Sequence, residues 1–466
     1  MSQVKQSFLS WWWNAECGLR DVLKIALPLM ISTSLWSIMQ FTDRLFLMWH
    51  PASEMSAAVV AGALHFSAIC IPWGLASYIN TFVAQYHSTQ QVDRMGRYLW
   101  QGVWVGVLTF PAIWLLIFFS DDLFRFAGHS DTIRKFEVSY LSALGYGSGA
   151  MVISMAMSTY FMGRGQTATV MVVDLICVVV NIIVDYGLIF GKGGLPELGI
   201  YGAGLATAMT VWIKTTILAT LLIWANKQER ELQLFRYIFP CWKTMKRLFY
   251  YGLPSALQFF IEVTSYTFLL MMIGSIGDQA HKASGLALSV NDIAFVPVFG
   301  LSIALTTITG HQLGIKRPDL ATRATWTTLT LGLGYTAIFS ILYAGFPDLL
   351  LAAHYATNDP NHLPATKETT IILLRFVAFY CIFDTINLIF SGTIKGAGDT
   401  QFLLFCSTAI SLIFMTIVAI GLHYGFGLYF VWLIMSSWIF TLGVAFFLRF
   451  LRGKWRTMHV IEPELL

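Results

Sequence analysis

The feature that most constrains this chain is a series of long apolar stretches, separated by short polar segments, that recurs along all 466 residues. A helix needs about 20 apolar residues to cross the hydrocarbon core of a bilayer. The stretches predict twelve such helices, at residues 22–48, 56–87, 94–119, 134–162, 167–190, 199–225, 243–276, 279–313, 319–345, 367–395, 400–424 and 427–451. The chain is therefore predicted to be an all-α integral membrane protein.

The composition agrees with a surface that is covered by lipid. Only 12% of the residues are charged and 56% are hydrophobic, whereas a soluble domain has about 25% charged residues. These values argue against a soluble enzyme and against a disordered chain. The net charge of +4 is small and the basic residues are scattered, so no nucleic-acid partner is expected. The six cysteines contain no CxxC pair, so neither a zinc site nor a disulfide framework is indicated.

The distribution of lysine and arginine tests the number of spans. If the N-terminus is cytoplasmic, the predicted inside segments carry 20 basic residues and the outside segments carry 6. Three more lie within spans, namely Arg44, Lys214 and Arg375. Cytoplasmic loops are enriched in basic residues, and a missed helix would scramble the alternation. The pattern therefore predicts a multi-pass inner (plasma) membrane protein with both termini in the cytoplasm.

The chain also repeats itself. Pro28 returns as Pro254, an offset of 226 residues. The same offset pairs Asp93 with Asp319, Arg97 with Arg323 and Trp100 with Trp326. We expect an N-terminal lobe of six helices at 1–225, a basic cytoplasmic linker at 226–247 and a C-terminal lobe at 248–466. Halves with an even number of spans share one orientation, so the two six-helix bundles are predicted to be related by a pseudo-two-fold axis along the membrane normal.

Two pairs of prolines occupy matching positions in the halves. Pro28 and Pro254 lie near the start of the first helix of each half, and Pro72 and Pro297 lie inside the second. Proline removes a backbone donor and loosens a helix. In membrane proteins such breaks occur where a cavity or a moving element needs them. The repetition favours a mechanical role, and the alternative is a tolerated kink.

Carboxylates inside the predicted spans need an explanation. Each costs at least ~2.5–3.5 kcal/mol at the centre of a bilayer. Six occur, namely Asp43, Asp174, Asp185, Glu262, Asp292 and Asp384. They form two groups, one in each half.

The group in the first half predicts an ion site. Asn181 and Asp185 are four residues apart and share a helix face, and Asp174 lies three turns earlier on nearly the same face. Asp43 could meet them across the bundle, with Thr207 adding a hydroxyl. Such an oxygen-only set suits Na⁺, and crowded carboxylates can instead share a proton. A polar clamp between helices is the structural alternative.

The group in the second half contains Glu262, Asp292 and Asp384, which lie in otherwise apolar stretches. An acidic pocket for a cationic substrate or a second cation site would explain them. The alternative is pairing with Arg375 or Lys214. In the first half, Arg44 follows Asp43 directly, and neighbours on a helix point about 100° apart, so a direct pair between them is not required.

Aromatic and methionine side chains surround these acids in the sequence. Phe259, Tyr266 and Met271 flank Glu262, and Trp36 and Met39 precede Asp43. A polarisable, π-rich wall suits varied lipophilic cations. Lipid-facing or core packing is the alternative for any single residue.

No catalytic signature occurs in the sequence. A phosphate-binding loop, a zinc-protease motif and a serine nucleophile elbow are all missing. Neither an enzymatic activity nor a cofactor is therefore expected. Without an ATP site, transport would be driven by an ion gradient or run downhill, with Na⁺ or H⁺ as the coupling ion.

The ordered motifs resemble the multidrug and toxic compound extrusion (MATE) family over nearly the whole chain. They are Phe41-Thr42-Asp43, Asn181–Gly191, Gly199–Thr207, Gly252-Leu253-Pro254 with Glu262, Cys381–Asp384 and Gly396–Thr400. The resemblance implies a two-lobed, V-shaped antiporter that exports organic cations or drugs in exchange for Na⁺ or H⁺. One departure is Arg44, because the family often has threonine there.

The resemblance also implies which residues act. Asp43, Asn181, Asp185 and Thr207 would form the cation site of the N-terminal lobe. Glu262 and Asp384 would match acidic residues proposed for cation binding in the C-terminal lobe. The partners expected are the lipid bilayer and small, cationic, lipophilic substrates, with a monomer as the functional unit.

Two other functions remain as alternatives. A lipid-linked precursor or polysaccharide flippase of the same superfamily would want basic residues lining its central cavity, whereas the excess here is acidic. A polytopic membrane enzyme would show clustered catalytic residues in one loop and no internal duplication.

Overall fold

A computed structural model describes residues 12–49, 52–229, 233–355 and 363–462. Twelve helices in these ranges are long and apolar enough to cross a membrane. In chain order the long helices are α1 (Leu19–Met48), α2 (Ala52–Ser77), α3 (Val92–Phe118), α4 (Asp131–Gly163), α5 (Thr167–Phe190), α6 (Gly199–Gln228), α7 (Trp242–Ile276), α8 (Asp278–Gly314), α9 (Pro318–Gly345), α10 (Leu363–Ala397), α11 (Thr400–His423) and α12 (Leu428–Leu451). No strand occurs in the described ranges, and the predicted all-α fold with twelve spans is confirmed.

Three short helices accompany the long ones. Ile79–Ser88 continues α2 beyond Tyr78, Ser120–Phe126 follows α3, and Pro347–Tyr355 follows α9. The sequence prediction merged the first with α2 and did not include the other two. Seven to nine residues are too few for the periodic apolar pattern of a span to appear.

The helix boundaries repeat between the halves. The first residues of α2 and α3 recur in α8 and α9 with an offset of 226 residues, and both ends of α5 recur in α11 with an offset of 233. The offset changes between α9 and α10, where Pro347–Tyr355 lies. The duplication seen in single residues is thus also a duplication of whole helices.

The chain divides into two compact units. The N-terminal unit comprises Ile31–Phe259 and Val460–Leu466, and the C-terminal unit comprises Met1–Met30 and Phe260–His459. Each unit therefore begins or ends inside α1 and α7. The lobe boundaries at 1–225, 226–247 and 248–466 describe the order of the repeat along the chain, and they stay a prediction.

Each unit has central helices. In the N-terminal unit α4 packs against α2, α3 and α6, and it is the most buried of the twelve spans. In the C-terminal unit α8 packs against α10, which also contacts α9 and α12. Polar groups on central helices need partners inside the protein. His65 of α2 and Ser148 of α4 supply one such pair, at 2.7 Å.

Candidate functional site

The predicted ion-binding residues meet inside the N-terminal unit. Asp43 of α1 is 5% exposed, and Asn181 and Asp185 of α5 are 0% exposed. The hydroxyl of Thr207 on α6 donates to Oδ2 of Asp43 at 3.4 Å. The carboxyl groups of Asp43 and Asp185 lie close enough to interact and to share one proton. The structure thus brings α1 together with α5 and α6, which follow much later in the sequence.

Glycines allow these helices to approach closely. A Cβ atom on Gly202 would lie 2.6 Å from the carbonyl oxygen of Leu188, and one on Gly204 would lie 2.7 Å from the Cβ of Ala143. Both distances are shorter than side chains tolerate. The glycines therefore let α6 pack against α5 and α4, and this packing carries Thr207 to Asp43.

Five buried polar atoms of this cluster have no hydrogen-bond partner. They are Oδ1 of Asp43, both carboxylate oxygens of Asp185, and both Oδ1 and Nδ2 of Asn181. A buried polar atom left without a partner costs about 1–3 kcal/mol. Two ionised carboxylates have no proton to donate to each other, so the cluster needs a cation or a proton. Four of these five atoms are oxygens that accept no hydrogen bond, and such a set suits either a bound cation or a proton on a carboxylate.

The sequence interpretation missed Tyr140 of α4. Tyr140 lies within electrostatic range of both Asp43 and Asp185, and Gly62 of α2 packs against its ring. Aromatic residues are abundant in this chain and have no spacing that distinguishes one from another. The close packing of α4 against α6, indicated by Gly204, is the one signal that could have found it.

The structure gives Asp174 a different place from the one expected. Its carboxylate forms an ion pair with Lys214 of α6 at 2.6 Å and accepts a hydrogen bond from Ser32 of α1. The expected alternative, in which Lys214 pairs with the acids of the second half, is wrong because α6 packs against α5 and this brings Lys214 to Asp174. The pair satisfies both charges away from the unpartnered cluster.

The other two basic residues that the sequence predicted within spans, Arg44 and Arg375, are exposed. Arg44 is exposed although Asp43 is buried, and Arg375 of α10 is exposed as well. The roughly 100° step between helix neighbours accounts for the difference between Arg44 and Asp43.

The acids of the C-terminal unit lie on three helices. Ser407 of α11 donates to Oε1 of Glu262 at 3.0 Å, and Glu262 is within electrostatic range of both Asp384 and Lys395. The structure therefore brings Glu262 and Asp384 into one neighbourhood.

Asp292 of α8 is exposed and lies within electrostatic range of two aromatic residues, Tyr266 and Tyr343. No cluster of three or more His, Cys, Asp or Glu side chains that could hold a metal occurs in the described ranges.

Comparison with known proteins places this arrangement in a family. The MatE family profile matches residues 28–187 and 254–424. The multidrug resistance protein MdtK of Yersinia pestis (strain Pestoides F) is 27% identical over 391 residues, which is 83% of each chain. MdtK of Yersinia enterocolitica has the same identity and coverage.

Solved structures share the fold. A MOP superfamily transporter from Pyrococcus furiosus superposes with a TM-score of 0.83 at 17% identity, covering 95% of this chain and 97% of that one. The eukaryotic MATE transporter AtDTX14 superposes with a TM-score of 0.80 at 17% identity, covering 94% and 96%. The family profile matches both halves of the repeat and covers more than half of the residues, so this chain belongs to the MatE family, as its motifs predicted.

Proposed function

We propose that this protein is a secondary antiporter that exports small organic cations and drugs across the membrane in exchange for Na⁺ or H⁺. The observation that carries the proposal is the set of five unpartnered polar atoms on Asp43, Asn181 and Asp185. The relatives named multidrug resistance proteins support the substrate class. A flippase or a membrane enzyme is not favoured, because the matching family profile is MatE and the relatives from Yersinia are named multidrug resistance proteins.

The coupling ion neutralises the buried carboxylates. Asp43 and Asp185 bind Na⁺ or H⁺, and Asn181 and Thr207 complete the shell. An ion shifts the equilibrium between two conformations only by the difference of its affinity for them. One charge that crosses 100 mV supplies about 2.3 kcal/mol, which corresponds to roughly fifty-fold accumulation of substrate.

The C-terminal unit supplies the acidic site for the cationic substrate or a second cation. Glu262 and Asp384 share one neighbourhood, and Asp292 has Tyr266 in range. Carboxylates attract the charge of a cation and aromatic faces attract its apolar body. The protein works as a monomer in a bilayer, with both termini in the cytoplasm and the lobes 1–225 and 248–466 as its two parts.

The test is transport by purified protein in proteoliposomes. Ethidium transport is measured with independently imposed Na⁺ and pH gradients, so that the coupling ion is identified directly. Asp43→Asn and Asp185→Asn should each abolish the gradient-driven component. Asp278→Asn, which removes an exposed carboxylate at the start of α8, is the control and should transport like the wild type. Gradient-driven transport in both cluster variants would refute the proposal.

A further inference from the structure

A basic cavity lies in the N-terminal unit where α3 and α7 begin, away from the Asp43 cluster. Its volume is about 310 Å³, at the small end of ligand pockets. Four cationic side chains line it, Arg94, Arg97, Lys243 and Arg247, against one carboxylate, Glu462. The lining therefore carries a surplus of positive charge, and nothing in the transport of cations uses it.

The first turn of α7 adds backbone donors to this cavity. The first N–H groups of a helix have no partner within the helix, and they favour an anion. Cys241 precedes α7 and lines the cavity. The pKa of the Cys241 thiol is lowered because the backbone N–H and the hydroxyl of Thr244 hydrogen-bond to it, with a further hydrogen bond from the N–H of Lys243. The helix terminus thus already stabilises negative charge.

Arg97 is held in place by Tyr237 and keeps one N–H donor without an acceptor. Its guanidinium lies 4.0 Å from the ring centroid of Tyr237, and its Nη2 donates to the Tyr237 hydroxyl at 2.8 Å. Its Nε is buried and has no hydrogen-bond partner. A buried charged donor without an acceptor is costly, so the site favours an incoming anion.

The protein itself places one carboxylate in this cavity, that of Glu462. Glu462, which follows α12 in the sequence, forms an ion pair with Arg94, and its carboxylate lies 3.7 Å from Lys243. The pKa of Glu462 is lowered, mainly because Arg94 hydrogen-bonds to the carboxylate. Glu462 balances one of the four cations, and Asp93, whose carboxylate lies 3.8 Å from Arg97 outside the cavity lining, offsets a second.

The matching end of the C-terminal unit carries more carboxylates, because Glu16, Asp21 and Asp319 lie there beside Arg317 and Arg323. Cys17 lies just before α1 as Cys241 lies just before α7, but Cys17 is buried, and burial together with Asp21 and Glu16 raises its pKa to about 11. Arg317 at that end pairs with Asp319 and Glu16. The repeat therefore does not require a basic cavity, and the one in the N-terminal unit is a separate feature.

We propose that this cavity binds a phosphate group in competition with the Glu462 carboxylate. Arg94, Arg97 and Lys243 would act as its charged ligands, and the first turn of α7 as its backbone ligand. Arg247, which donates to the carbonyl oxygens of Val460 and Ile461, would add its positive charge. Guanidinium groups bind phosphate through two parallel hydrogen bonds, and helix N-termini bind it through N–H groups. A phosphate dianion balances the remaining charge better than a second carboxylate does.

The first test is binding of pyrophosphate to the full-length protein in nanodiscs. Lys243→Gln removes a cavity charge from a side chain that is 86% exposed and should weaken binding by about tenfold, as expected for one charge-assisted contact. Lys246→Gln removes an exposed charge from the same turn of α7, outside the cavity lining, and should change it less than about twofold. Glu462→Gln should tighten binding. Equal weakening by the two lysine variants would overturn the proposal.

Cys241 gives a second, site-resolved measurement that needs no engineered cysteine. It is exposed, whereas Cys17, Cys70, Cys177 and Cys381 are buried and Cys406 is half-buried. Pyrophosphate should slow the labelling of Cys241 by a negatively charged methanethiosulfonate, measured by mass spectrometry of the labelled peptide. Glu462→Gln should strengthen this protection. Unchanged labelling in both the wild type and Glu462→Gln, in nanodiscs of phosphatidylcholine, would overturn the proposal.

The lipid composition of the nanodiscs distinguishes two sources of the phosphate group, a lipid headgroup and a soluble compound. If Cys241 is labelled more slowly in phosphatidylglycerol than in phosphatidylcholine nanodiscs without pyrophosphate, and Lys243→Gln removes this difference while Lys246→Gln keeps it, a lipid headgroup is the ligand. Protection that requires pyrophosphate in both phosphatidylglycerol and phosphatidylcholine nanodiscs identifies a soluble phosphate compound. Either result supports the phosphate site. If the phosphate site is refuted, the antiport proposal is unaffected, because these experiments measure no transport.

Discussion

At the residue scale, the pair of Asp43 and Asp185 sets the chemistry of the N-terminal unit. Both side chains are buried. Two neighbouring buried carboxyl groups cannot both stay ionised without a counterion. Asn181 contributes an amide that no protein group satisfies. The cluster is therefore unfavourable when empty, and an entering ion removes that cost.

Two threonines one turn apart on α6, Thr207 and Thr210, allow an effect on ion binding to be distinguished from an effect on helix packing. Thr207 donates to Asp43, whereas the buried hydroxyl of Thr210 has no partner. Thr207→Val should lower the apparent affinity for the coupling ion by about tenfold, because one ligand of the cluster is lost. The measurement is transport in proteoliposomes as a function of ion concentration.

Thr210→Val is the matched control for that prediction. It removes an unpartnered hydroxyl without changing the shape of the side chain, so stability should be unchanged or slightly higher and the ion dependence should stay at the wild-type value. An equal effect of both variants on ion affinity would show that Thr207 acts through the packing of α6 only.

At the scale of elements, the prolines of the repeat lie next to the boundaries between the compact units. Pro28 is two residues before the end of the Met1–Met30 segment, and Pro254 is five residues before the end of Ile31–Phe259. A proline inside a helix removes one backbone hydrogen bond and its ring clashes with the preceding turn. The helices α1 and α7 are thus weakest near the points where the chain passes between units.

Replacing these prolines should stiffen the helices. Pro28→Ala and Pro254→Ala restore a hydrogen bond, so we expect higher thermal stability together with a severalfold loss of transport rate, because helices that bend during transport become harder to bend. Unfolding temperature and initial transport rate are measured on the same preparation.

Pro111 provides the comparison for this prediction. It lies inside α3, and the position 226 residues later is Ala337, so it is not part of the repeat. Pro111→Ala should leave the transport rate unchanged. Full transport by Pro28→Ala and Pro254→Ala would argue that their kinks are merely tolerated.

At the scale of the whole molecule, the membrane architecture follows from the sequence to a large extent. The prediction of 167–190 coincides with α5, and that of 243–276 differs from α7 by one residue, since apolar length is a direct requirement of the bilayer. The short helix Ser120–Phe126 was missed, because it neither spans the bilayer nor repeats a pattern.

The candidate site was predictable only where helix spacing or the family motif applied. Asn181 and Asp185 share a face by spacing alone. Asp174 shares that face too, yet Lys214 pairs with it, and no spacing within α5 specifies what α6 presents. Tyr140 joins the cluster through the packing of α4, which depends on contacts between distant segments.

The segment after α12 should stabilise the N-terminal unit. Val460 and Ile461 are buried, Arg247 donates to both of their carbonyl oxygens at 2.7 Å, and Gln85 accepts from the N–H of Val460 at 2.9 Å. A chain that ends at His459 should therefore unfold several degrees lower in detergent, because Arg247 and Gln85 lose their buried partners.

A substitution just upstream is the control for this truncation. Arg456→Gln changes an exposed side chain between α12 and Val460 and leaves those hydrogen bonds in place. Its unfolding temperature should match that of the wild type. An unchanged unfolding temperature in the truncated chain would show that the segment adds no stability.

The exchange of end segments between the units has a consequence for biosynthesis. The segment up to Met30 leaves the ribosome first, yet it belongs with residues that begin at Phe260, and Val460 leaves after all twelve helices although it belongs with the earlier unit. Domains usually fold as they emerge during translation, the N-terminal one first. Here neither unit can make its full set of contacts until the opposite end of the chain has been synthesised, so inserted helices must wait in the bilayer for their last partners.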